Sequence, residues 1–238
     1  MSNTTRSPSS PYSPITIVTV VFNGGEFLEE TILSVVQQNR GHVDFIIIDG
    51  GSTDNTIEII KKYEDKIAFW VSEYDKGIYD AMNKGWEKAN INSHVLFLGA
   101  GDKILKLPEA ELKPDEIYYG NVSLGDRGIF NAKAGTRLKI GNTVHHQALL
   151  IPKLLCATGP FNIAYKVYAD FDFNQILLKR GIKFNKIDDL YAYVSPGGFS
   201  QQYATYEWLK IVFKNFGVIY SVLAFLYHYL YKFKHWIL

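Results

Sequence analysis

The N-terminal half of the chain alternates between short, almost wholly apolar runs and longer stretches whose apolar residues recur three and four apart. Residues 15–22 (ITIVTVVF) form a near-continuous β-branched run, the pattern of a strand covered on both faces in a parallel sheet. Asn23-Gly24-Gly25 breaks it, and Phe27, Leu28, Thr31, Ile32, Val35 and Val36 then predict a helix through Gln38. Residues 43–48 (VDFIII) predict a second buried strand ending at Asp49. Gly50-Gly51-Ser52-Thr53-Asp54 supplies a loop and N-cap candidates for a helix through Tyr63. A third strand is predicted over 67–72, a helix whose buried face carries Ile78, Ala81, Met82, Gly85, Trp86 and Ala89, and a fourth strand over 94–98. Strands and helices alternating at this spacing imply right-handed crossovers and a three-layer α/β sandwich with a mostly parallel sheet. Beyond Asp102 the alternation fades into proline-containing loops, a hairpin turning at Gly125-Asp126-Arg127-Gly128, and a helical stretch around 170–180.

In such a sheet ligands bind at the C-terminal ends of the strands, where this chain gathers acids. Asp49 ends the second strand, Asp75 and Asp80 bracket the start of a helix, and Asp102 follows the fourth strand. Any one of them reads equally as a helix cap or a solvated loop acid. Together, beside glycine-rich turns and Lys76, they outline a cradle for a nucleotide diphosphate and a divalent cation. No G-x-G-x-x-G follows the first strand and no G-x-x-x-x-G-K-[ST] occurs, which removes the main support for dinucleotide dehydrogenases and P-loop enzymes.

Composition adds a compartment and a tail. The 238 residues are 47% apolar and 21% charged, a folded globular balance. A net charge of +1 argues against nucleic acid as a partner. The single cysteine, Cys156, has no internal partner, so a reduced cytosol is expected, and residues 1–14, rich in Ser, Thr and Pro, read as a disordered leader without a signal peptide's apolar core. From 208 to 238 there are four lysines (Lys210, Lys214, Lys232, Lys234) and no acid, among many aromatic and aliphatic residues. The longest near-uninterrupted apolar run there, 218–227, falls short of the roughly 18–20 residues a bilayer span needs. The tail therefore reads either as an amphipathic helix in the membrane interface or as one docked on the core or on a second subunit.

The succession VTVVFNGGEFLEETILSVVQQ, IIIDGGSTDNTIEII, SEYDKGIYDAMNKGWEKA and VLFLGAGD resembles the bacterial family 2 glycosyltransferases, inverting enzymes of the GT-A type that use a nucleotide-diphospho-sugar. The block over 75–85 resembles a branch that assembles surface polysaccharides, and the likeness runs from about residue 15 to 200. It implies a GT-A-like three-layer α/β/α sandwich with a Rossmann-like nucleotide-binding half over 15–102, an acceptor half over 103–205 and an amphipathic helical tail over 206–238. It further implies donor contacts from Val21, Phe22, Asn23 and Asp49 at the base and ribose, and from Lys76, Gly77, Asp80 and Asn83. Asp102 matches the last acid of a metal-binding Asp-x-Asp or Asp-Asp element for Mn2+ or Mg2+. Here that element reads Gly99-Ala100-Gly101-Asp102, one carboxylate short. Either Asp102 holds the cation with phosphate oxygens and His145 or His146, or metal dependence is weak. Asp170 matches the general base, and His146, Gln147, Asp172, Gly197 and Gly198 match acceptor-side motifs.

The function so implied is transfer of a sugar, most simply from a UDP-sugar, to a lipid-linked or membrane-associated oligosaccharide at the cytoplasmic membrane surface, with a homodimer open. Two alternatives stand beside it: a degenerate nucleotide-sugar-binding partner of another transferase, kept by the Gly101 departure, and a sugar nucleotidyltransferase, whose basic Gly-rich loop is not seen.

Overall fold

The computed structural model describes residues 13–38, 41–196 and 205–236; the leader through residue 12 and the expected acceptor contacts Gly197 and Gly198 lie outside the described residues. Strand β1 (Ile15–Val21) is followed by α1 (Gly25–Gln38), β2 (Val43–Asp49), α2 (Thr56–Lys62), β3 (Phe69–Ser72), α3 (Ile78–Lys88) and β4 (His94–Gly99). These match the elements expected from the apolar pattern to within a few residues. The strands β3, β2, β1 and β4 pair in that order and are all parallel.

Side-chain alternation along each strand divides the core into two faces. Val18, Val20, Ile46 and Ile48 pack with Met82 and Trp86 of α3. Ile15, Ile17, Phe45 and Ile47 pack with Leu28 and Ile32 of α1 and Ile60 of α2. Every residue of β1 is buried, which is why its sequence reads as an unbroken apolar run. The three-layer sandwich follows from helices covering both faces.

The C-terminal half extends the same sheet: β5 (Lys103–Lys106), β6 (Ile117–Ser123), β7 (Ile129–Phe130), β8 (Leu149–Pro152), α4 (Ala169–Lys179) and β9 (Phe184–Tyr193). Strand β8 joins β4 antiparallel, and the order continues through β6, β9 and β5. The expected hairpin is present, with β6 and β7 pairing antiparallel across Gly125–Arg127. Beneath the junction of the two halves lies an aromatic cluster. Phe161 meets Phe97 edge-on at 5.2 Å and Phe173 at 5.9 Å, and Trp86 stacks on Phe97 at 6.3 Å. This cluster ties β4, α3, α4 and the 161 loop together.

The tail corrects one expectation. Helix α5 (Thr205–Trp236) contains a stretch, Tyr206–Tyr229, that is by length and composition enough to cross a membrane. Counting an uninterrupted apolar run understated it, because isolated Lys, Asn and Ser residues do not cancel the average. The stretch is not one straight rod, however. Gly217, at φ 80 and ψ −172, breaks the helix, a conformation that a side chain would strain. The Trp208 and His228 rings then meet at 5.5 Å, whereas 20 residues of continuous helix would hold them about 30 Å apart. The chain doubles back as a helical hairpin.

Candidate active site

The C-terminal ends of β1 and β4, the start of α3 and the 163–166 segment enclose a cleft of about 480 Å³, within the ordinary range for small-ligand sites. Val21, Phe22 and Asn23 line it together with Lys76, Gly77 and Asp80, and with Gly99 and Ala100. Six of the eight expected donor contacts therefore line one cavity. The wall at Asn23 is fixed from the neighbouring loop, since its side-chain oxygen accepts the Thr53 N–H at 2.8 Å and its own N–H donates to Ser52 Oγ at 2.7 Å. Asp80 accepts the Lys76 N–H at 2.9 Å and Asp75 accepts the Gly77 N–H at 2.8 Å. The two acids shape the turn that presents Lys76, and Asp80 sits in the first turn of α3, where negative charge suits the helix dipole.

Two expected donor contacts do not reach the cleft. Asp49 is fully buried, and its oxygens accept from Gly51 N (3.1 Å), Ser52 N (2.9 Å), Ser72 Oγ (2.6 Å) and, very closely, Ser52 Oγ. It holds the 50–54 loop in shape, and that loop in turn holds Asn23. Asn83 donates to Phe161 O at 2.8 Å and accepts from Phe161 N at 2.9 Å. Both ends of its amide are spent on positioning the segment that leads to Ile163, Tyr165 and Lys166, which also line the cleft.

Asp170 is 6% exposed at the start of α4. Its Oδ1 accepts the Tyr79 hydroxyl at 3.0 Å and the Phe171 N–H at 2.9 Å, while Oδ2 lies 3.3 Å from Asn142 Nδ2 and 3.4 Å from His146 Nδ1. Burial pushes its carboxyl up, but the hydrogen bond and charge of His146, with the Phe171 N–H and the Tyr79 hydroxyl, outweigh it and hold the group below the usual carboxylate range. Tyr79 lines the cleft and its hydroxyl bonds Asp170, so one side chain links the carboxylate to the cleft. Burial and the neighbouring Asp170 push the Tyr79 phenol well above its ordinary value, keeping it a donor. Neither Tyr79 nor Asn142 was singled out in the sequence. Tyr79 stands inside the 75–85 block, whereas Asn142 has only its nearness to His145-His146 as a signal.

Asp172 is corrected. On a helix, two positions turn a side chain through about 200°, and Asp172 faces α5, accepting from Lys214 Nζ at 2.8 and 3.1 Å and from Asn215 Nδ2 at 2.8 Å. It fastens the tail and is not an acceptor contact. His146 bonds Asp170 as described, and Gln147 donates to Asp102 Oδ2 at 3.0 Å. These two residues therefore serve the two key carboxylates directly. His145 packs edge-on to Phe130 at 4.6 Å, and burial, with the charge of His146, lowers its pKa to about 4, so it is neutral at neutral pH.

Asp102 is 6% exposed and bonded at both oxygens: Ser195 N at 2.9 Å on Oδ1, Gly99 N at 2.9 Å and Gln147 on Oδ2. Burial pushes its carboxyl above the usual range against those donors. At Gly101 a Cβ would sit 3.0 Å from the Ser195 side chain, at φ +94, while the backbone N–H is held by Thr31 Oγ1 at 2.8 Å. A second acid there would be strained in its backbone and crowded by Ser195. The residues present do not make a site of the protein's own for the cation implied by the resemblance. Asp102 is a lone, already bonded carboxylate, and among the described residues no group of three or more His, Cys, Asp or Glu is placed to hold a metal ion.

Comparison with known proteins gives this arrangement its context. The profile described as Glycosyl transferase family 2 matches residues 16–103. A PGL/p-HBAD biosynthesis glycosyltransferase of Mycobacterium tuberculosis is 30% identical over 175 residues, covering 66% of this chain and 67% of that protein. Among solved structures, S. aureus TarS 1-349 in complex with UDP-GlcNAc superposes with a TM-score of 0.63 at 14% identity, covering 83% of this chain and 64% of that one. The mannosyltransferase PcManGT from Pyrobaculum calidifontis, in complex with GDP-Man and Mn2+, gives 0.58 at 17% identity over 83% of this chain and 61% of its own. The chain thus spans a little under two thirds of these solved chains. At such identities the likeness shows a shared GT-A-like α/β fold, and the sequence match carries the kinship. The chain belongs to glycosyl transferase family 2.

Proposed function

We propose that the protein transfers a hexose or hexose derivative, with inversion, from a nucleotide-diphospho-sugar to a lipid-linked or membrane-associated oligosaccharide in cell-surface polysaccharide or glycolipid assembly. The observation that carries this reading is Tyr79, a residue of the cleft wall whose buried hydroxyl bonds the carboxylate of Asp170. The named biosynthetic role of the mycobacterial relative supports the glycolipid or polysaccharide context. The sugar nucleotides held by TarS and PcManGT support a UDP- or GDP-linked donor, UDP being our first choice.

In the proposed step Asp170 accepts the proton of the acceptor hydroxyl as that oxygen attacks the anomeric carbon. The bond from that carbon to the diphosphate breaks on the opposite face, and the electron pair leaves with the diphosphate. His146, the Phe171 N–H and Tyr79 keep Asp170 ionised and so able to accept the proton, as a weaker base than a free carboxylate. Lys76, at the exposed rim, answers the charge of the departing diphosphate. A divalent cation, Mn2+ or Mg2+, would accompany the donor and neutralise its diphosphate; no step here is assigned to it. His146 and Gln147 are proposed to reach the acceptor only by way of the carboxylates they bond.

In this reading residues 1–14 are a leader, 15–205 the catalytic domain and 206–238 a helical tail that places the protein on the cytoplasmic side of the membrane. The test is transfer of label from UDP- and GDP-sugars to organic-extractable material in membranes, with the anomeric configuration of the product read by NMR. Loss of transfer in Asp170→Asn, with nucleotide binding intact, supports the reading. Nucleotide binding without transfer in the wild type would favour the degenerate partner.

A further inference from the structure

Helix α5 presents an apolar surface that the other described residues leave uncovered. Tyr206, Phe213, Val218, Ile219, Val222 and Phe225 are each at least half exposed. Only 22% of the 18-residue apolar window within Tyr206–Tyr229 is buried, far from the state of a core helix. The two arms on either side of Gly217 enclose an open apolar groove of about 590 Å³, with Lys210 among its lining residues. Exposed apolar patches of this kind mark a binding surface.

Charge decides between occupants. The sequence after Glu207 has no acid to residue 238 and lysines at 210, 214, 232 and 234. Lys214 is answered by Asp172 within the fold. A second copy seated on the same face would bring another Lys210 to the groove, with no carboxylate after Glu207 to pair it. An anionic lipid surface answers it, and aromatic rings with lysines are the residues that settle at the headgroup level.

The same helix holds the catalytic loop. The Glu207 carboxylate accepts three backbone N–H groups, Lys166 at 2.8 Å, Val167 at 2.8 Å and Tyr168 at 2.7 Å. The Val167 carbonyl in turn accepts the Tyr79 hydroxyl at 2.7 Å, the hydroxyl that also bonds Asp170. Lys166 and Tyr165 line the donor cleft. One side chain in the first turn of α5 thus fixes both a cleft wall and the support of Asp170, and the Asp172 clasp to Lys214 and Asn215 lies two residues beyond Asp170.

We propose that α5 docks on an anionic phospholipid surface and that Glu207 transmits this contact to the 165–170 loop, so that membrane seating and ordering of the active site are one event. This rests on the reading of the chain as a membrane-associated transferase.

The test uses the full chain with phosphatidylglycerol/phosphatidylcholine vesicles and with pure phosphatidylcholine vesicles, read by co-sedimentation and by hydrogen exchange at the 166–168 amides. We expect about tenfold or greater preference for the anionic vesicles, the scale of one or two interfacial lysines, and severalfold slower exchange at those amides in the bound wild type. Glu207→Gln should co-sediment equally and lose the vesicle-dependent slowing. Ile219→Asp, altered at an exposed position, should fold, bind nucleotide as the wild type does, and lose both sedimentation and slowing. A Glu207 that served stability alone would lower the unfolding midpoint equally with and without vesicles and leave the slowing in place, which would overturn the coupling. Absence of co-sedimentation together with concentration-dependent dimerisation would overturn the lipid assignment in favour of a second copy. Nucleotide binding in vesicle-free solution reports on the transferase reading separately, so the two failures are distinguishable.

Discussion

The acid of greatest consequence is held by four different partners. Asp170→Asn is expected to lower turnover by about 10²–10⁴-fold, the usual contribution of a general base, with nucleotide affinity unchanged. The wild-type rate should fall only as pH drops through a value below the ordinary carboxylate pKa of about 3.9, since the folded-state pKa is depressed and the ionised base persists above it. His146→Asn removes the leading opposition to burial, so the acid limb of the pH profile should move upward; an unmoved limb would separate His146 from the base. Asp102 separates two roles in a different way. If it organises the β4 end through Gly99, Gln147 and Ser195, Asp102→Asn should cost about 1–3 kcal/mol of stability by placing an amide donor against N–H groups, measured by denaturant unfolding. A residue serving only as a metal ligand would lose Mn2+-dependent nucleotide binding at no such cost. Much of the site was legible at this scale, because the motif residues Val21 to Asn23, Lys76, Gly77 and Asp80 do share a cleft. Asp49 and Asn83 were not, because a buried polar side chain that supports a loop and one that contacts a ligand look alike in one dimension.

Long strands buried on both faces and helices with one clear apolar face announced themselves, and short or unevenly covered strands did not. Strands β1, β2 and β4 are buried along nearly their whole length and read as apolar runs. Strand β9 alternates partly buried and exposed positions over FNKIDDLYAY, and β5 and β8 are four residues each, so pairing partners rather than local pattern make them strands. Helix α4 separates Asp170 from Asp172, since the helical turn sends one toward Tyr79 and the other to α5. Asp172→Ala is therefore expected to loosen α5. It should lower stability by about 1.5–3 kcal/mol, the range for hydrogen bonds to a charged group, and expose the 205–216 arm to limited proteolysis, while nucleotide affinity stays within about twofold, a shift of under half a kcal/mol. Unchanged proteolysis would mean that the apolar contacts of Trp208, Ile211 and Val212 hold the arm alone.

Across the whole molecule a parallel β-α-β half supplies a cleft at its strand ends, an extension of the same sheet brings a buried carboxylate beside that cleft, and a helical hairpin clasps the loop between them. Charge asymmetry between the tail and the rest was visible in the sequence, but the reversal at Gly217 was not, since one glycine in an apolar helix is compatible with either a straight or a folded path. The central claim is that the cleft between Val21 to Asn23 and Lys76 to Asp80 holds a nucleotide diphosphate. Its most direct test is the unfolding midpoint of the wild type, Lys76→Ala and Asp170→Asn with UDP, GDP, dTDP and CMP, each with and without Mn2+. A ligand present at about 100 times its Kd adds about 2.7 kcal/mol, some 5–10 °C for a chain of this size. The account predicts such a rise with a nucleoside diphosphate in the wild type and in Asp170→Asn, and a much smaller one in Lys76→Ala. No rise with any of these nucleotides, or an equal rise in Lys76→Ala, would contradict it.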